Sequence, residues 1–152
     1  MSVERRVFLG LVRVADVLTR RMGEALEPYK LTLSQYGVLE ALRDAGENGL
    51  ACGEIAGRMI TREPDVTRLL DRLEDRGLVS RYRGRPDRRM VRTQLTPTGV
   101  ALLATIDGPM RALQADRLGG MARRDLGALD ALLESTAAAV HGPPRGRVRP
   151  TG

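Results

Sequence analysis

The sequence predicts a mainly helical fold interrupted by one small β-hairpin, and three observations carry that prediction. Apolar residues recur at three- and four-residue spacing over most of the 152 positions, the period of helices with one buried face. Aromatic residues make up only 3% and Trp is absent, so the core is aliphatic and suits helix packing better than a β-sandwich. Between two helical stretches lies one pair of short segments around an arginine-rich turn, the pattern of a hairpin.

The first helix carries Val7, Leu11, Val14, Leu18 and Met22 on one stripe and ends at Pro28. The second begins at Thr32, whose hydroxyl can cap while Gln35 reaches back to complete a capping box. Leu31 and Tyr36 stand where a hydrophobic staple would, and Val38, Leu39 and Leu42 give the buried face. After a polar turn at 44–49, a short third helix covers about 53–59, with Ile55 and Met59 inward. Ala51 occupies the capping position there, which weakens that helix start. The fourth helix has Pro64 in its first turn, the stripe Val66, Leu69, Leu70 and Leu73, and Gly77 as its stop. Residues 78–82 and 90–95 read as two strands. Thr96 caps a fifth helix with Pro97 at its first position. Val100, Leu103, Ile106, Met110 and Leu113 keep helical spacing through Gly108 and Pro109, which predicts one kinked helix. A last helix spans about 122–140, with Leu126, Leu129, Leu133 and Ala137 inside. Residues 143–152 have the Pro-, Gly- and Arg-rich composition of a disordered basic tail. This order defines a winged helix-turn-helix at about 31–96 within a single domain of residues 1–142. The helices at about 3–29 and 97–141 flank it as a dimerisation region.

The net charge is +6, and Lys30 is the only lysine, so nearly all positive charge is arginine. Arginine's planar fork matches phosphate oxygens and guanine edges. A GC-rich genome also enriches arginine, so its distribution decides. Residues 58–92 hold 11 arginines against 6 acids. Six of those arginines fall at 81–92, where Asp87 is the only acid, a net +5 on one hairpin. Like charges on a protruding loop repel until a polyanion relieves them, and a phosphate backbone does so with counterion release. The wing residues Arg83, Arg85, Asp87, Arg88 and Arg89 are therefore candidate DNA contacts. On the fourth helix, the face opposite the leucines carries Asp65, Arg68 and Arg72, with Arg62 and Thr67 beside them. In a major groove, Arg meets guanine, Thr meets the thymine methyl and Asp accepts from cytosine. The competing reading is a solvated face on which Asp71, Glu74 and Asp75 pair with Arg68, Arg72 and Arg76.

Cys52 is the only cysteine and His141 the only histidine. Neither a metal site nor a Cys-His or Ser-His centre can be assembled from them, so no enzyme, metal or cofactor is expected. His141 is expected to cap the last helix. Cys52 lies near a helix start and is expected to be a buried structural residue. With no disulfide and no apolar run of membrane-spanning length, a cytoplasmic location is expected. Leucines at both ends of the chain (Leu11, Leu18, Leu126, Leu129, Leu133) exceed what the small winged region can cover, and a second copy would bury them.

The segments from Pro64 to Glu74, Gly77-Leu78-Val79, Asp87-Arg88-Arg89, Leu95 to Gly99 and Leu33 to Leu39 together resemble the MarR family of winged-helix regulators. The resemblance runs from about residue 3 to 140. It implies a homodimer joined through its first and last helices, with one recognition helix per half of a pseudo-palindromic operator. It implies that Asp87 orients Arg89, which enters the minor groove, where narrow width concentrates negative potential. It also implies repression relieved by a small phenolic or lipophilic anion, for which Met22 and Tyr36 are the candidate pocket residues. An effector-independent winged-helix or architectural protein is the alternative. Arg62 and Glu63 depart from the family's small polar or basic residues, so base preference does not transfer.

Overall fold

A computed structural model describes residues 1–84 and 87–141. Six α-helices and three short strands make up these residues: α1 (Val3–Leu26), α2 (Leu33–Ala45), β1 (Leu50–Ala51), α3 (Cys52–Arg58), α4 (Val66–Asp75), β2 (Val79–Arg83), β3 (Val91–Leu95), α5 (Pro97–Leu118) and α6 (Arg123–His141). Residues Met1–Leu113 form one compact unit, and the chain from Gln114 forms a second.

Local signals in the sequence explain most boundaries. The Ser2 hydroxyl accepts from the Arg5 N–H at 3.3 Å and starts α1. A 3-10 turn at Glu27–Tyr29, containing Pro28, closes it, and Lys30 follows with φ 54°. The capping box of α2 forms in both directions. The Gln35 N–H donates to the Thr32 hydroxyl at 3.1 Å, and the Thr32 N–H donates to Gln35 Oε1 at 3.0 Å. The staple residues Leu31 and Tyr36 are both buried. α5 runs unbroken through Pro109, and the Gly99 N–H donates to the Thr96 hydroxyl that caps it, at 3.1 Å.

The sheet departs from the expected two-stranded hairpin. β3 is central in the order β1-β3-β2, antiparallel to both neighbours. Leu50 pairs with Thr93 and Ala51 with Arg92, while β2 pairs with β3 from Val79 opposite Leu95 to Arg83 opposite Val91. A two-residue strand has no alternation to detect, so β1 falls between the polar turn at 44–49 and the third helix, where the sequence offers only a capping position at Ala51.

The core of the first unit gathers Leu26, Leu39, Leu42, Ile55, Leu73 and Ile106 at essentially zero exposure. Each such burial stabilises by roughly 1.5–3 kcal/mol. Arg43 fastens α2 to α5, donating to Glu40 at 2.7 Å and to Asp107 at 2.8 Å. Tyr36 is buried beside this pair of acids, and desolvation, then the Glu40 charge, pushes its hydroxyl up to about 12. An unfolded tyrosine titrates near pH 10. The raised folded value therefore adds stability that is complete below pH 10 and is lost as pH rises towards 12. The melting temperature is expected to fall across that window, and Tyr36→Phe to remove this part of the fall. Equal alkaline slopes for the two proteins would refute the assignment.

In the second unit, Leu126 and Leu129 of α6 are half-buried and Leu132 and Leu133 exposed. No helix among the described residues is long and apolar enough to cross a membrane. The expected tail at 143–152 and the side chain of His141 lie outside the described residues.

Candidate nucleic-acid interface

The stripe Val66, Leu69, Leu70 and Leu73 fixes the orientation of α4, since all four are buried. The opposite face leaves Thr67, Arg68, Asp71, Arg72 and Asp75 exposed. The helix starts two residues later than Pro64 suggested. Asp65 is its N-cap, accepting from the Arg68 N–H at 3.0 Å, and Pro64 stands just outside. A side-chain acceptor satisfies an otherwise free donor, which the preference of Pro for a first turn cannot outweigh. One Asp65 oxygen is thereby committed to the helix. At the other end the Gly77 N–H donates to Glu74 O at 2.8 Å and the Leu78 N–H to Leu73 O at 3.0 Å. This is a Schellman motif, which requires the left-handed backbone that Gly77 supplies at φ 69°. Arg76 then donates to Lys30 O at 2.6 Å and Tyr29 O at 3.1 Å, anchoring the end of α4 to the turn after α1.

The acids of α4 do not pair along their own helix. Glu74 and Asp71 both turn to Arg81 of β2, Asp71 at 2.6 Å. The Arg81 hydrogen bonds hold the Glu74 carboxyl below the usual carboxylate range. Among the described residues, Arg68 and Arg72 make no salt bridge, so the solvated face laced by pairs within α4 does not form. Both border a cleft of about 360 Å³ with Thr32, Ser34, Gln35 and Asp65. The start of α2 thus joins the site, beyond the residues the sequence pattern points to. The capping box was the available signal, because it places a helix N-terminus there.

The wing's positive charge is of two kinds. Arg81 is bound to α4. Arg92 donates to Asn48 O at 2.8 Å and Gly49 O at 2.9 Å and pairs with Glu54 at 3.3 Å. That leaves Arg83, Arg88 and Arg89 exposed; Arg85 lies outside the described residues. The net +5 read from the sequence therefore overstates the charge open to a ligand. At the tip, the Gly84 N–H donates to Met90 O at 2.7 Å, and Asp87 Oδ1 accepts from the Arg89 N–H at 2.9 Å. Asp87 thus fixes the turn that carries Arg89. Arg62 is exposed ahead of α4.

Four other expectations meet a definite placement. Cys52 is exposed rather than buried, at the first position of α3, with its sulfur 3.8 Å from the Thr67 hydroxyl oxygen. The short helix turns only Ile55 into the core, and a small side chain at its first position need not follow. Ala51 gives no side-chain cap, and Glu54 compensates by accepting the Ala51 N–H at 2.7 Å. Tyr36 belongs to the core and Met22 packs half-buried against it. Of the apolar residues at the chain ends, Leu11 and Leu133 are exposed and Leu18, Leu126 and Leu129 half-buried. The reading missed Phe8, 67% exposed on α1, although it lies three residues before Leu11.

A helix-turn-helix whose second helix presents arginines without a salt bridge among the described residues, followed by a wing tipped with arginine, is the arrangement of winged-helix DNA-binding proteins. The MarR family model matches residues 31–91. HTH-type transcriptional regulator TtmR of Methylorubrum extorquens is 33% identical over 136 residues, covering 90% of this chain and 66% of that protein. A MarR transcription factor of Planctomyces limnophilus, known as a crystal structure, is 36% identical with a TM-score of 0.67, covering 88% of this chain and 97% of that one. BpsR of Bordetella bronchiseptica, whose DNA binding is regulated by 6-hydroxynicotinic acid, is 25% identical with a TM-score of 0.78, covering 90% and 96%. The chain belongs to the MarR family, a non-enzymatic family of DNA-binding transcriptional regulators. It spans about two-thirds of the length of curated relatives such as TtmR (66%) and PecS of Dickeya dadantii (63%).

Proposed function

We propose that the protein is a homodimeric cytoplasmic repressor that grips a pseudo-palindromic operator and is released by a small aromatic or lipophilic anion. The observation that carries DNA recognition is the pair Arg68 and Arg72, exposed on α4 and without a salt bridge among the described residues, while Asp71 and Glu74 turn to Arg81. In this reading α4 enters the major groove, where Arg68 and Arg72 meet base edges. Arg83, Arg88 and Arg89 reach the flanking backbone and minor groove.

Dimerisation is supported by the apolar face of α1. Val7, Phe8, Leu11 and Val14 are all exposed within the chain, and a second copy related by a two-fold axis would cover them and match the operator's symmetry. Release by an aromatic acid is supported by BpsR, which responds to 6-hydroxynicotinic acid.

The test is binding to a duplex selected from a randomised pool. Arg68→Ala or Arg72→Ala is expected to cost about 1–3 kcal/mol and to relax preference at one position per half-site. Uniform loss over all sequences would make that arginine a phosphate contact. A monomer that ignores duplex DNA at low salt overturns the proposal. A thermal-shift screen of aromatic carboxylates followed by gel shift tests release. Binding unaffected by every compound favours the effector-independent alternative.

A further inference from the structure

Arg81 lies in β2 opposite Thr93 of the central strand, and one carboxylate grips it three times. Its backbone N–H donates to Glu74 Oε1 at 3.1 Å, and its Nε donates to Glu74 Oε2 at 2.8 Å. Nη2 meets Glu74 again and Asp71 at 2.6 Å. With Nε and Nη2 engaged, the guanidinium is held in place and only Nη1 is left to offer a phosphate. What it does instead is join the helix that faces DNA to the strand that carries the wing. Arg92 holds the central strand from the other side, through the Asn48 and Gly49 carbonyls and Glu54.

The geometry gives this joint leverage. Five residues of β2 at about 3.3 Å each, plus the turn, put the tip roughly 20 Å from the sheet's root. A swing of about 10° there moves the tip by about 3 Å, half the roughly 6 Å width of a minor groove. Asp87 fixes the shape of the turn at the tip but not the direction in which the hairpin points. We propose that Arg81 is a positioning residue: by bridging Glu74 and Asp71 to β2, it sets the angle between recognition helix and wing, and so where Arg89 meets DNA. This rests on the DNA-binding reading above.

A double-mutant cycle separates this role from plain stabilisation. Affinities are measured by fluorescence anisotropy on the selected duplex for the wild type, Arg81→Met, Arg89→Ala and the double variant, with circular dichroism and melting followed for each. Each single change is expected to weaken binding about tenfold or more, and the double variant to be no weaker than the worse single within about twofold. Arg81→Met binding like wild type, or losses that multiply, would overturn the proposal. Glu74→Gln keeps the side chain's shape without its charge, and it too should make Arg89→Ala nearly silent. If both Arg81→Met and Glu74→Gln unfold the protein, the bridge serves stability and positioning is refuted. Failure of the wild type to bind any duplex would instead sink the functional reading.

Discussion

Arg89→Ala is expected to weaken operator binding by about tenfold to a hundredfold, with the largest loss where the flanks are A·T-rich. The side chain is exposed at the wing tip, and the hydrogen bond from its backbone N–H to Asp87 holds the turn that presents it. A narrow A·T-rich minor groove concentrates negative potential, so one inserted guanidinium gains more there than on an open phosphate backbone. A well-placed contact of this kind contributes about 1–3 kcal/mol, or roughly fivefold to 150-fold in affinity, which brackets the expected loss. Fluorescence anisotropy on duplexes that differ only in their flanks checks it. Asp87→Ala should reproduce part of the loss, because it frees the turn while leaving every wing arginine in place. Loss independent of flank composition would make Arg89 an ordinary phosphate contact.

Gly99→Ala should be among the most damaging single methyls within the described residues. A Cβ at Gly99 would collide with the Leu78 carbonyl oxygen and lie 3.2 Å from Leu95 Cδ2. The same carbonyl accepts the Thr96 N–H at 3.1 Å, so it cannot retreat without releasing the start of α5. Overpacking of this kind costs about 1–3 kcal/mol when neighbours can give. Here the neighbour is backbone at the root of the wing, which places the loss near the upper end. The melting temperature is expected to drop by roughly 6–12 °C for a chain of this size. A drop of less than about 2 °C by calorimetry would mean that α5 sits less tightly on the wing root than described.

These two residues divide what could be read in advance from what could not. Arg89 was legible because Asp87-Arg88-Arg89 is a local pattern, and the hydrogen bond that joins its ends spans two residues. Gly99 was legible as part of a motif, but its reason is a contact with Leu78, 21 positions earlier. Caps and stripes announced α2 with its start, and the buried face and C-terminal stop of α4, because these depend on spacings of three or four residues. The partners of the arginines did not announce themselves. Arg92 reaches Asn48 across 44 positions, and Arg81 reaches Glu74 only because the Schellman turn folds β2 back beside α4. Charge counting treated all six wing arginines alike, whereas pairing sets two of them apart. Cys52 was misjudged for a related reason. Composition says how often a cysteine is buried, but only the packing of α3 says which of its few residues turn inward.

The turn that follows α1 has a practical consequence. Lys30 is the only lysine, is exposed, and belongs to the joint that Arg76 grips through its backbone carbonyl. Its ε-amino group takes no part in that grip. Amine-directed dyes therefore have one side-chain target, remote in chemistry from every guanidinium assigned to DNA. A fluorophore attached there would report on movement between the first two helices while leaving the binding groups unmodified.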